Sequence, residues 1–152
     1  MTIEHIHRPH TVSCLLYHLV SVVKYRKKIF TSDMEEFFKN ICLEIEDGVE
    51  ITFHEIGIDL DHVHFLIQSI PRRSPSSLVE EIRKTTAQGM FDQFEEIKTI
   101  LRRWHFWTDG YYINTVWLHS NQETIKRYIQ NQWRASEYKR MFISPDQQQF
   151  EF

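Results

Sequence analysis

At 152 residues, 41% of them apolar, the chain has the length of one domain and enough apolar mass for a core. That balance, with only four Gly and four Pro, excludes disordered, collagen-like and linker classes. The net charge of −3 argues against a general nucleic-acid binder, although the charges are segregated. Arg8 to Lys28 holds five basic residues and no acid. Lys126 to Arg140 is opposed only by Glu137, and acids collect between Asp33 and Glu50. Such segregation permits basic faces on an acidic protein, and it equally suits solvated helix faces.

No apolar run approaches the roughly 20 residues that span a bilayer, and the His-rich N-terminus lacks a signal-peptide core. The expectation is a cytoplasmic protein with no membrane partner. Cys14 and Cys42 sit far apart in apolar surroundings and read as reduced, buried thiols.

In chain order, residues 1–10 are polar and read as a loose arm. Thr11 to Val23 is β-branched and apolar on both faces, so it reads as one long strand covered on both sides or placed at a subunit interface. A basic turn, Lys24-Tyr25-Arg26-Lys27-Lys28, follows. Ser32-Asp33-Met34-Glu35 is a capping box, and Met34, Phe38, Ile41 and Ile45 recur at helical spacing, which predicts a helix over 33–46. Asp47-Gly48 turns the chain into a strand from Val49 to Ile58, and Asp59 to Asp61 connects tightly to a second strand.

Ser74 is the expected cap and Pro75 the first residue of the next helix, with Leu78, Ile82, Thr86 and Met90 inward. Residues 91–103 are polar and partly helical. Tyr111 to Leu118 reads as a strand, and Ser120-Asn121-Gln122-Glu123 caps a helix to about 140 with Ile125, Ile129 and Trp133 inward. Residues 141–152 form a polar tail. The order β-α-β-β-α-β-α predicts an α+β fold. Its ferredoxin-like (split βαβ) antiparallel sheet has helices on one face, and a C-terminal helix follows. The whole chain, 1–152, is one domain.

Two stretches carry chemistry. In Asp61-His62-Val63-His64-Phe65-Leu66-Ile67, period-2 alternation puts both imidazoles on one strand face and Val63, Phe65 and Ile67 on the other. Two such rings can share a divalent metal, and the same pattern also describes a plain exposed strand face. On the last helix, Tyr128 and Gln132 are four apart, beside Lys126 and Arg127. A phenol next to a carboxamide and cations suits attack on a phosphodiester, with Gln132 able to lend an oxygen to a metal. An amphipathic core tyrosine is the structural alternative.

Four segments occur in order: 18–28 (HLVSVVKYRKK), 61–66 (DHVHFL), 106–116 (FWTDGYYINTV) and 128–132 (YIQNQ). Over about 11–135 the chain resembles the single-tyrosine HUH transposases of small insertion sequences. The resemblance implies that His62, His64 and Gln132 bind the metal, Mg²⁺ or Mn²⁺, and that Tyr128 is the nucleophile. It implies cleavage and rejoining of single-stranded DNA, with hairpins at the element ends, through a 5′-phosphotyrosine. It further implies a homodimer whose sheets merge. Trp117 departs from the family's usual Gly. Lys24, Arg26, Arg83, Lys84 and Lys126 are candidate DNA contacts. Alternatives are a related HUH nicking nuclease, a domesticated hairpin-binding protein that does not cut, and a metal-dependent phosphoesterase on small substrates.

Overall fold

The computed structural model describes residues 3–101 and 105–116. Strand β1 (Ile6–Arg8) pairs with β2 (Thr11–Ser13) in a small hairpin. The main sheet is built from β3 (Leu15–Val22), β4 (Thr52–Ile58), β5 (His62–Ser69) and β6 (Tyr112–Thr115), in the order β4-β5-β3-β6. Each neighbouring pair is antiparallel. With helices α1 (Ser32–Gly48) and α2 (Pro75–Gln93) in the two crossovers, this is the ferredoxin-like arrangement expected. A short α3 (Glu95–Ile100) follows α2.

Local chemistry explains most boundaries. Thr31, one residue before the expected Ser32, caps α1 by accepting from the Met34 amide at 3.3 Å. The expected Asp47-Gly48 turn is instead the last turn of α1, closed by the bond from Val49 N to the Ile45 carbonyl at 3.0 Å. Ser74 caps α2 by accepting from Ser77 N at 3.2 Å, and Pro75 occupies the first turn, where its missing N–H costs nothing.

Two expectations are corrected. The single strand from Thr11 to Val23 is broken at Cys14, its first part turning back onto Ile6–Arg8. The arm at 1–10 is therefore partly a strand: His10 takes a left-handed φ of 68°, which closes the turn that pairs Arg8 with Thr11. The expected helix over 120–140 and the tail at 141–152 lie outside the described residues.

The core fills one side of the sheet. Leu19, Phe53, Val63, Phe65 and Ile67 meet Met34, Phe38, Ile41 and Ile45 of α1 and Leu78, Val79, Ile82 and Met90 of α2. Phe38 is its aromatic hub, with ring centroids at 5.6 Å from Phe30, 5.9 Å from Trp107 and 6.1 Å from Phe65. Trp107 donates to the Thr86 hydroxyl at 3.2 Å, which satisfies both buried polar groups.

Removing the hub in Phe38→Ala is expected to cost about 3–5 kcal/mol through lost burial and a residual cavity, read from urea unfolding with an unchanged m-value. The thiols give a second check. Burial pushes Cys42 far up, with Glu46 adding to the effect, and burial also raises Cys14. At pH 8 both are mostly protonated thiols, so an aromatic disulfide reagent is expected to label Cys14 slowly and Cys42 only on unfolding.

Candidate active site

The strand register decides what shares the face away from the helices. Across β3 and β5, Val20 pairs with His64, Val22 with His62 and His18 with Leu66. Across β3 and β6, His18 pairs with Asn114 and Val20 with Tyr112. Directly paired residues project to the same side. His62 and His64 are thus brought together with His18, Tyr112 and Asn114 on the sheet face opposite the core, as alternation along β5 predicts for the first two.

His18 is the residue that reading by segments did not single out. Its imidazole is 1% exposed and lies 6.2 Å from His64 and 6.0 Å from Tyr112, centroid to centroid, in edge-on contacts. Among the described residues, neither of its ring nitrogens has a hydrogen-bond partner. Burial, then the charge of His64, pushes His18 down to about 3. Burial and His62 likewise push His64 down to about 4, against an opposing pull from Asp59. Both rings are neutral at pH 7 and present lone pairs.

Two acids stand against His62. Asp61 Oδ1 lies 2.6 Å from His62 Nδ1, and Asp59 Oδ2 lies 3.6 Å from His62 Nε2. Asp61 is buried, which works to raise it, but the hydrogen bond and charge of His62, joined by Arg26, outweigh burial and hold its carboxyl below the usual range. Behind His64 lies Gly57 on β4. A Cβ there would fall 1.9 Å from His64 Nε2, so the missing side chain is the space that the ring occupies.

Two imidazoles on one face suit a divalent cation that takes its other ligands from elsewhere. Among the described residues, no three His, Cys, Asp or Glu side chains gather closely enough to hold a metal by themselves. The further ligand expected from Gln132 lies outside the described residues, as do Tyr128 and Lys126.

Three of the remaining candidate DNA contacts have partners within the fold. Lys24 is 7% exposed, with Nζ 3.4 Å from Asp109 Oδ1. Arg26 reaches Asp61 at 3.5 Å. Arg83 donates to the backbone carbonyls of Thr108 and Asp109 and lies over the Tyr111 ring; burial lowers it to about 10, so it keeps its charge. Lys84 is exposed. Arg83, Lys84 and His105 line one groove of about 730 Å³ between α2 and the 105–111 segment.

Residues 11–132 match the family of IS200-like transposases. The chain is 28% identical to the transposase for insertion sequence element IS200 of Salmonella typhimurium over 116 residues, covering 76% of this chain and 75% of that protein. It is 29% identical to the ISDra2 transposase TnpA of Deinococcus radiodurans over 120 residues, covering 78% and 84%. A crystal structure of a Deinococcus radiodurans protein described as a transposase superposes with a TM-score of 0.69 at 25% identity, over 84% of this chain and 97% of that one. A REP-associated tyrosine transposase bound to a REP hairpin shares the fold, with a TM-score of 0.54 at 10% identity over 82% and 67%. With four-fifths of its length under one family pattern, the chain belongs to the IS200-like transposases, enzymes that cut and join DNA strands.

Proposed function

We propose that this transposase cleaves and rejoins single-stranded DNA at the ends of an insertion sequence through a covalent tyrosine intermediate. The observation that carries the reading is the placing of His62 and His64 side by side on the sheet face away from the helices, in a chain whose family match extends through Tyr128 and Gln132. The hairpin held by the structural relative supports a hairpin-bearing substrate.

In this reading the Tyr128 oxygen attacks the scissile phosphorus. The phosphorus bond to the 3′ oxygen breaks, that oxygen takes up a proton in place of the one the tyrosine gives up, and a 5′-phosphotyrosine and a free 3′-OH result. Attack by another 3′-OH on the phosphotyrosine reverses the exchange and reseals a strand. One phosphodiester is exchanged for another at each step, so no external energy source is required. His62, His64 and Gln132 would hold Mg²⁺ or Mn²⁺, which when bound withdraws charge from the phosphate. The enzyme acts as a homodimer in the cytoplasm, and no helix among the described residues is long and apolar enough to cross a membrane.

The test is covalent capture on labelled single-stranded DNA from the element ends with Mg²⁺ or Mn²⁺. A labelled protein band on a denaturing gel is expected from the wild type and is expected to vanish in Tyr128→Phe. Hairpin binding without an adduct under either metal would instead make this a non-cutting DNA-binding protein.

The site geometry adds a prediction. His64→Ala is expected to abolish metal-dependent cleavage while leaving hairpin binding within about twofold. Gly57→Val, which drives a side chain into the His64 ring, is expected to lower cleavage by roughly 100-fold, the scale on which a 1 Å misplacement acts. Cleavage rates and gel-shift titrations separate the two effects.

A further inference from the structure

The basic turn after β3 is strained. Tyr25 and Arg26 both take left-handed φ values, 58° and 53°, which side chains with a Cβ rarely adopt, and neither is glycine. The turn is fixed from outside: Val23 N donates to the Asp61 carbonyl and Lys24 N to the Phe106 carbonyl, each at 2.8 Å. One result of this backbone is that Arg26 Nε faces Asp61 Oδ2 at 3.5 Å, while the other oxygen of the same carboxylate holds His62 Nδ1 at 2.6 Å.

We propose that Arg26 and Asp61 are positioning residues that act in series on His62, fixing the imidazole as its Nδ1–H tautomer so that Nε2 presents a lone pair to the metal. The assignment rests on the metal-assisted reading above. The logic lies in the two oxygens of Asp61, because Asp59 Oδ2, at 3.6 Å from Nε2, is beyond hydrogen-bond distance whereas Asp61 Oδ1 holds Nδ1 at 2.6 Å. A carboxylate has acceptor capacity on both, so one oxygen pairs with the guanidinium at 3.5 Å while the other takes the hydrogen bond from Nδ1–H. Arg26 prevents the carboxylate from rotating away, and the left-handed turn is what brings Arg26 there. A ring held in this way enters metal binding already oriented.

The two-oxygen arrangement gives a specific consequence for Asp61→Asn. An amide has one acceptor oxygen. With that oxygen taken by Arg26, its NH₂ faces Nδ1 and donates to it. The ring is then forced to carry its proton on Nε2, the nitrogen that should bind metal. The expected lesion is a wrong tautomer in a protein of nearly native shape. Arg26→Gln is the milder change, because the Arg26 side chain is half exposed. It loosens the carboxylate without reversing the ring, and Arg26→Lys is expected to restore part of the loss.

The test uses the full-length protein, first without metal. Long-range ¹H–¹⁵N correlation spectra of the histidine rings, assigned with His62→Gln, report the tautomer directly. The wild type is expected to show His62 as Nδ1–H and Asp61→Asn as Nε2–H. Mn²⁺ binding, followed by electron paramagnetic resonance, is expected to weaken roughly 10- to 100-fold in Asp61→Asn and less in Arg26→Gln. An unchanged Nδ1–H signature together with unchanged Mn²⁺ affinity in a folded Asp61→Asn overturns the proposal. If Asp61→Asn does not fold, Arg26→Gln decides: wild-type Mn²⁺ affinity there removes Arg26 from the series and overturns it. If the wild type binds no Mn²⁺ at all, the metal-assisted reading of the function fails, while the tautomer spectra still decide whether the series operates.

Discussion

Strand β5 lies between β4 and β3, and its pairing with β3 runs unbroken from Leu15 opposite Ser69 to Val22 opposite His62. The period of a strand is two, so a slip of one residue would carry His62 and His64 into the aromatic core and expel Val63, Phe65 and Ile67. Each of those three apolar side chains is fully buried. Full burial of one is worth about 1.5–3 kcal/mol. The register that keeps them under α1 and α2 is therefore the register that assembles the site. Core and chemistry are two faces of one constraint, and the second face costs little extra to specify.

What could be read from the chain follows from how local each determinant is. Helix α2 was legible residue by residue, because its cap, its proline and its inner stripe of Leu78, Ile82, Thr86 and Met90 all lie in one short segment. The histidine pair was legible for the same reason. The break at Cys14 and the pairing of Ile6–Arg8 were not, since they depend on a partner strand and on the backbone of His10. His18 stood in view within an apolar strand, yet only the β3–β5 register brings it to His64. Gly57 shows the limit most plainly. Its importance is a space, and a space has no signature until the ring that fills it is placed.

Charge shows how an acidic chain can work on DNA. Three cations that looked like phosphate contacts are engaged within the fold: Lys24 with Asp109, Arg26 with Asp61, and Arg83 with the carbonyls of 108 and 109. Cations spent on internal partners build loops and orient side chains, and they displace few counterions from a nucleic acid. Arg83 and Lys24 both tie down the 105–111 segment that leads into β6, the strand that delivers Tyr112 beside His18. The basic motif after β3 is thus an architectural device as much as an electrostatic one. Among the described residues Lys84 stays exposed, on the groove between α2 and the 105–111 segment. A net charge of −3 gives the chain as a whole little long-range attraction to a phosphate backbone, so segregation of its charges matters more than their sum.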